Sequence, residues 1–359
     1  MEKMVMTGFY KNKRVLITGD TGFKGSWLAL WLKNLGAEVF GYALPPENEN
    51  DHFCLLNLKD EITHTDGNLL DVDKLNKTFR DICPEIVFHL AAQALVRLSY
   101  DEPKLTFDTN VTGSVNVLEA VRNTPSVKAL IYVTSDKCYK NKEWLWGYRE
   151  NDELGGHDPY SASKAAAEIV FSSYLNSFFT GNTETGIASV RAGNVIGGGD
   201  WALDRIIPDC IRAIRDKKNI ELRNPQATRP WQHVLEPLSG YLLLAQRLYE
   251  DPVKFSGSWN FGPGSKSIKT VKEITERAIR ILGQGSVSIG KSDKNKHEAG
   301  LLHLNCDKSN YQLGWNPVWD FEKTVALTIE WYKNFLEGAD PKTLSLNNIN
   351  KFMEDKKND

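Results

Sequence analysis

The 359-residue chain has little cysteine, almost no net charge and no long apolar run. Its five cysteines, Cys54, Cys83, Cys138, Cys210 and Cys306, are scattered, odd in number and never spaced as Cys-x-x-Cys. That pattern excludes a disulfide framework and a cysteine zinc site, so no metal is expected, and it points to reduced thiols in a cytoplasmic compartment. The formal net charge of −2 gives no electrostatic reason to bind nucleic acid or an anionic membrane. No window approaches the ~18 apolar residues of a membrane span. Residues 1–13 are short, mixed in character and followed at once by a strand, which does not read as a signal peptide. Repeats and low-complexity tracts are missing as well. What remains is an ordinary globular composition, long enough for one large core or two coupled ones, with a small molecule as the expected partner.

Arg14 to Thr18 is a short β-branched run ending in Gly19-Asp20-Thr21-Gly22-Phe23-Lys24-Gly25. Beyond it Trp27, Leu28, Leu30, Trp31, Leu32 and Leu35 recur at helical spacing until Gly36. Strand, glycine-rich turn and helix in that order make a pyrophosphate site, because glycines let the backbone approach the anion and the helix start offers free N–H groups. The second strand, Glu38 to Ala43, then lacks something. It carries no acid for the ribose 2′-hydroxyl of NAD, and Ala43-Leu44-Pro45-Pro46 offers no Arg for a 2′-phosphate, so NAD and NADP both stay open. Asn68, after the next strand, reads equally well as an adenine contact or a helix cap. Glu85 to Gln93 is a buried strand running into the small residues of Leu90-Ala91-Ala92, and His89 within it reads as a packed histidine without a role.

Two stretches carry chemistry. Ala129 to Val133 is a strand that delivers Thr134-Ser135-Asp136-Lys137 to the ligand side of a parallel sheet. Tyr160 and Lys164 stand four apart behind Asp158-Pro159, a helix cap and first position, so both share one helix face. An ammonium beside a phenol favours phenolate, which turns a side chain of pKa about 10 into a base for a substrate hydroxyl.

The glycine pattern, Leu-Ala-Ala, Asn110, the Ser135 region and the Tyr160/Lys164 pair together resemble the extended short-chain dehydrogenase/reductase superfamily. Thr134-Ser135-Asp136-Lys137 is similar to the nucleotide-sugar 4,6-dehydratases within it, with Lys137 where the dTDP-glucose members have Glu. Lys137, Thr21 to Trp27 and Gly197-Gly198-Gly199-Asp200-Trp201 look most like members acting on CDP-glucose. This resemblance implies an α/β fold, a doubly wound parallel Rossmann sheet with a smaller C-terminal substrate-binding domain. It implies an NAD domain over 1–192 joined by a returning segment near 228–262, a substrate domain over 193–227 and 263–345, and a polar tail over 346–359. Ser135, Asp136, Lys137, Tyr160 and Lys164 are then expected to be catalytic. NAD contacts are expected from Gly19, Thr21, Gly22, Phe23, Lys24, Gly25, Asn68, Leu69, Leu90, Ala91, Ala92, Gln93 and Asn110, besides Tyr160 and Lys164. Sugar-nucleotide contacts are expected from Arg97, Asn194, Arg205, Arg229, His297 and Glu298. A homodimer or homotetramer is implied, paired through the Tyr160 helix and the helix before it.

Residue chemistry in the C-terminal half is compatible but less specific. Gly197 to Gly199 reads as a loop that can move or an interdomain hinge. Arg223 and Arg229 offer guanidinium planes to a diphosphate, although Pro230 stands where related enzymes have Asp before the Trp. His297 and Glu298 read equally as a polar loop. After Ala339 the chain turns polar and is expected to fray. A nucleotide-sugar 4-epimerase, which has no need of Asp136 and Lys137, and a non-catalytic NAD-sensing module are the alternatives.

Overall fold

The computed structural model describes residues 8–181, 184–290 and 300–358. Arg14–Thr18 (β1) pairs with Glu38–Ala43 (β2), and β2 with Thr63–Asp66 (β3). On its other side β1 meets Ile86–His89 (β4), followed by Ala129–Val133 (β5), Gly186–Ala192 (β6) and Gly257–Phe261 (β7). Every pairing is parallel, and the order β3-β2-β1-β4-β5-β6-β7 is a doubly wound sheet. β4 and β6 are buried along their whole length, as strands covered on both faces must be.

Two helical layers do the covering. On one face lie Phe23–Asn34 (α1) and, later in the chain, Leu235–Glu250; Trp27, Leu28, Trp31, Leu238, Leu242 and Tyr241 share a core there with Val15, Ile17 and Ile131. On the other lie Val72–Ile82 (α2), Gly113–Arg122 (α3) and Pro159–Phe178 (α4), whose Leu75, Phe79, Val117, Leu118 and Phe171 pack on Leu16, Val87 and Leu130. From Gly25 to Leu32 α1 is buried all round, because the sheet and the helices outside it cover every side there. Ile206–Arg215 (α5), the helix Leu235–Glu250 (α6), Val271–Leu282 (α7) and Phe321–Leu336 (α8) follow in order. α5, α7 and α8 build a separate core from Ile207, Ile211, Ile274, Val325 and Ile329.

One terminal expectation differs. The stretch after Ala339 does not fray but forms a helix, Pro341–Asn358 (α9). Ser345, Asn348, Ile349 and Phe352 share its inner face, and Phe352 stands edge-on to Trp31 and Trp319 with ring centroids 5.7 and 4.9 Å away. Few of its residues are apolar, but those few fall on one stripe, which composition conceals.

Candidate active site

At the carboxyl end of β1, Gly19 turns with φ +80°, and a Cβ there would come within 2.6 Å of the Ala91 nitrogen just beyond β4. A Cβ on Gly25 would lie 2.0 Å from the Gly19 carbonyl. The β1 turn, the start of α1 and the segment Leu90-Ala91-Ala92-Gln93 therefore meet with no side chain between them. Gly22 begins α1 without a side-chain cap, which leaves the first N–H groups of the helix for an anion. Thr21 fastens this turn to the end of β2, its hydroxyl donating to the Leu44 carbonyl at 2.9 Å. Such a cradle fits a dinucleotide pyrophosphate, with Phe23 and Lys24 following on the helix.

Some expected cofactor residues are engaged elsewhere. Asn110 is buried in a widened helical turn, Asp108–Thr112; it accepts from the Gln93 nitrogen at 2.8 Å and donates to the Gln93 carbonyl at 3.0 Å and Ser163 at 2.9 Å. Its amide ties the β4 loop to α4. Asp71, not Asn68, caps α2 by accepting from the Lys74 nitrogen, while Asn68 accepts from the Leu70 nitrogen at 3.0 Å and remains exposed beside buried Leu69. His89 is packed as expected, between Thr18 at 2.7 Å and Ser114 at 2.9 Å.

Asp158 caps α4 by accepting from the Ser161 nitrogen at 2.9 Å, and Pro159 takes the first position, so Tyr160 enters on the first turn. The Tyr160 nitrogen donates to Ser99 at 3.1 Å. Burial pushes the phenol up to about 12, opposed by a hydrogen bond with Ser135 and by Arg205. Lys164 behaves differently from expectation. Its stem runs to the end of β5, where Nζ donates to the Val133 carbonyl at 3.5 Å; burial, then the Lys24 charge, lower it to about 8. In this structure burial rather than an adjoining ammonium governs the acidity of Tyr160.

Ser135 lies between the other groups, donating to Asp136 Oδ1 at 3.0 Å and accepting from the Lys137 nitrogen at 3.2 Å. Asp136 Oδ2 is buried without a hydrogen-bond partner among the described residues, 3.0 Å from where a Cβ on Gly193 would stand. Burial raises this carboxyl above the usual carboxylate range, against the pull of Lys137, Ser135, Lys24 and Arg229. Lys137 Nζ stands 6.0 Å from the centre of the Tyr160 ring. Phenol, hydroxyl, carboxyl and amine thus converge on the end of β5. Lys24 faces the same centre, lowered to about 8 by burial and then by Arg205.

Guanidinium groups gather on the far side. Arg205 donates to Asp200 Oδ2 at 2.8 Å, and Asp204 pairs with Arg223 and, at 3.7 Å, with Arg97. Arg229 donates to the Thr228 carbonyl at 2.8 Å and acts electrostatically on Asp136. The Asn194 carbonyl accepts from the Gln232 nitrogen at 3.2 Å. His297 and Glu298 lie outside the described residues. The triple-glycine stretch is packed rather than loose. A Cβ on Gly198 would stand 2.0 Å from the Trp331 ring, one on Gly199 2.2 Å from His52, and Trp27 donates to the Gly198 carbonyl at 3.0 Å. Glycine is needed there for close approach of aromatic rings, a requirement that the sequence does not distinguish from mobility.

The sequence model of the GDP-mannose 4,6 dehydratase family matches residues 16–328. The chain belongs to that family. A curated relative, the CDP-glucose 4,6-dehydratase of Salmonella typhimurium, is 48% identical over 354 residues, covering 98% of this chain and 99% of the relative. Two solved structures share the fold. The dTDP-glucose 4,6-dehydratase of Bacillus anthracis in complex with NAD has a TM-score of 0.76 at 21% identity, over 91% of this chain and 99% of that one. The Thermus thermophilus UDP-glucose 4-epimerase complex with NAD has 0.77 at 24% identity, over 90% and 99%.

In this GDP-mannose 4,6 dehydratase family member one support of the site escaped the sequence reading. Glu168 and Arg191 form a buried ion pair at 2.7 Å beneath the Ser135 turn. Glu168 also accepts from Thr134 and, at 2.9 Å, from Ser189, while Arg191 donates to Tyr139 at 2.7 Å and the Glu150 carbonyl at 2.9 Å. The signal was Glu168 itself, one turn beyond Lys164 on the same face.

Proposed function

We propose that this chain converts CDP-glucose to CDP-4-keto-6-deoxyglucose, a step of deoxysugar biosynthesis, with NAD as a bound cofactor. What carries this function is the meeting of Tyr160 and Ser135 with the buried, uphill-shifted carboxyl of Asp136 and the amine of Lys137. Oxidation at C4 needs the first two; loss of water from C5 and C6 needs an acid and a base as well. The cytidine nucleotide rests on the 48% identical relative.

Bound NAD would supply the hydride acceptor for C4 and the hydride donor for C6 of the sugar. Gly19, Thr21, Gly22, Phe23, Lys24 and Gly25 would hold its pyrophosphate, with Lys164 as a further contact. Tyr160 takes the C4 hydroxyl proton, helped by Ser135 and by the Arg205 charge that opposes the effect of burial. Asp136, whose carboxyl burial raises, gives a proton to the departing C6 hydroxyl, while Lys137 takes the proton of C5 and gives one back to C5 as hydride arrives at C6. Arg97, Asn194, Arg205 and Arg229 hold the diphosphate and sugar. Residues 1–192 with 228–262 form the dinucleotide half, and 193–227 with 263–345 the sugar half. The enzyme works in the cytoplasm as a homodimer or homotetramer paired through α3 and α4, where Ile169 and Phe178 are exposed.

Turnover of CDP-, dTDP-, UDP- and GDP-glucose, followed by the alkali-induced absorbance of a 4-keto sugar, tests this. CDP-glucose is expected to react at least about tenfold faster than the others, the scale of one or two lost base contacts. A hexose product with no 4-keto absorbance would make the chain an epimerase.

A further inference from the structure

β2 ends in Ala43-Leu44-Pro45 and brings no acid to the ribose. A carboxylate nevertheless stands next to that position, because the strand register pairs Ala43 with Asp66, the last residue of β3. Asp66 Oδ1 accepts from His64 Nε2 at 3.1 Å, and His64 Nδ1 meets Asp20 Oδ2 at 2.6 Å. Asp20 belongs to the glycine-rich turn itself. It is fully buried, and its Oδ1 has no hydrogen-bond partner among the described residues. Gly41 makes room for it, since a Cβ there would stand 2.0 Å from Oδ2. Asp66, at the other end of the row, exposes 63% of its side chain. The three residues therefore run from beneath the dinucleotide turn, across β2, to the surface where the missing acid would have stood.

Burial raises the Asp20 carboxyl; burial also opposes a charge on His64, but the contacts with Asp20 and Asp66 raise it, so both partners of the 2.6 Å contact hold a proton more readily than free groups do. With Nδ1 turned to Asp20, the His64 ring presents Nε2 to Asp66.

We propose that Asp66, oriented by His64 and Asp20, selects the unphosphorylated adenosine ribose of the dinucleotide. Resting on the NAD function above, Asp66 does from β3 what an acid at the end of β2 does elsewhere. Its carboxylate accepts from the ribose 2′-hydroxyl and repels a 2′-phosphate at the same place. His64 and Asp20 are positioning residues: they fix the carboxylate without touching the ribose.

Calorimetric titration of nucleotide-stripped protein with NAD and with NADP tests this without turnover. The wild-type protein is expected to bind NAD more tightly. Asp66→Asn, a surface change that leaves the melting temperature in place, should narrow the NAD:NADP affinity ratio by about tenfold or more, the effect of losing one charge-assisted hydrogen bond. His64→Gln should narrow it less, and adding His64→Gln to Asp66→Asn should bring little further loss. An Asp66→Asn protein with the wild-type ratio, or a wild-type protein that binds both dinucleotides equally, would overturn the assignment and leave the dehydratase function standing. A wild-type protein that binds neither would overturn both.

Discussion

Tyr160 and Asp136 are both buried within reach of the Ser135 hydroxyl, and burial moves both upward, the phenol to about 12. For the carboxyl that shift is useful, since it favours the protonated form that can release a hydroxide-like leaving group as water. For the phenol it is an obstacle, which the Ser135 hydrogen bond and the Arg205 charge oppose. Lys137 is a further group near both, and the base role proposed for it would separate this site from one carrying Glu there. Lys137→Ala should abolish solvent deuterium exchange at C5 while a trace of C4 oxidation persists, measured by mass spectrometry of recovered sugar nucleotide. Wild-type exchange in that variant would take Lys137 out of the mechanism.

Among elements, α9 does more for the site than its polar sequence announces, and α8 works with it. His52 bridges Ser26 on α1 at 2.9 Å and Ser345 on α9 at 3.1 Å, and Trp331 on α8 donates to the same Ser345 at 3.1 Å. Gly198 and Gly199 lie against these rings, just before Asp200 and the Arg205 that it holds. Gly198→Ala should force Trp331 aside, lowering urea-unfolding stability by about 1–3 kcal/mol and turnover with it. Gly264→Ala, where an added Cβ meets nothing within 4 Å, should stay within about 0.5 kcal/mol of wild type. The Tyr160/Lys164 pair, the glycine turn and the strands were legible because each is local, within one turn of helix or one strand. The row Asp20, His64 and Asp66 spans three strands, and the inner face of α9 rests on four residues of eighteen, so neither has a local pattern to read. Lys164 shows the limit of spacing: sharing a face with Tyr160 did not fix where a four-carbon stem would point.

At the scale of the whole molecule, three neutral histidines are built into the packing around the sheet. Burial lowers His52, His89 and His233 to about 3 each, and Trp27 lies against two of them, with ring centroids 4.9 Å from His52 and 5.9 Å from His233. Between pH ~6.5 and ~3 the unfolded chain therefore binds protons that the folded chain refuses, so stability is lost on acidification, by up to about 1.4 kcal/mol per pH unit for each histidine. Urea unfolding from pH 7 to 5 should show this slope, and His89→Gln should flatten it by about one proton; an unchanged slope would mean that His89 is not held neutral. The doubly wound sheet sets the carboxyl ends of β1, β4 and β5 side by side, so that the glycine turn and the Asp136 turn face one crevice. In the proposed reaction a single hydride leaves C4 and returns to C6 of the same sugar held in that crevice. CDP-glucose deuterated at C4 measures this directly: NMR of the 4-keto-6-deoxy product should find the deuterium at C6, whereas deuterium retained at C4 or washed into solvent would contradict the dehydratase.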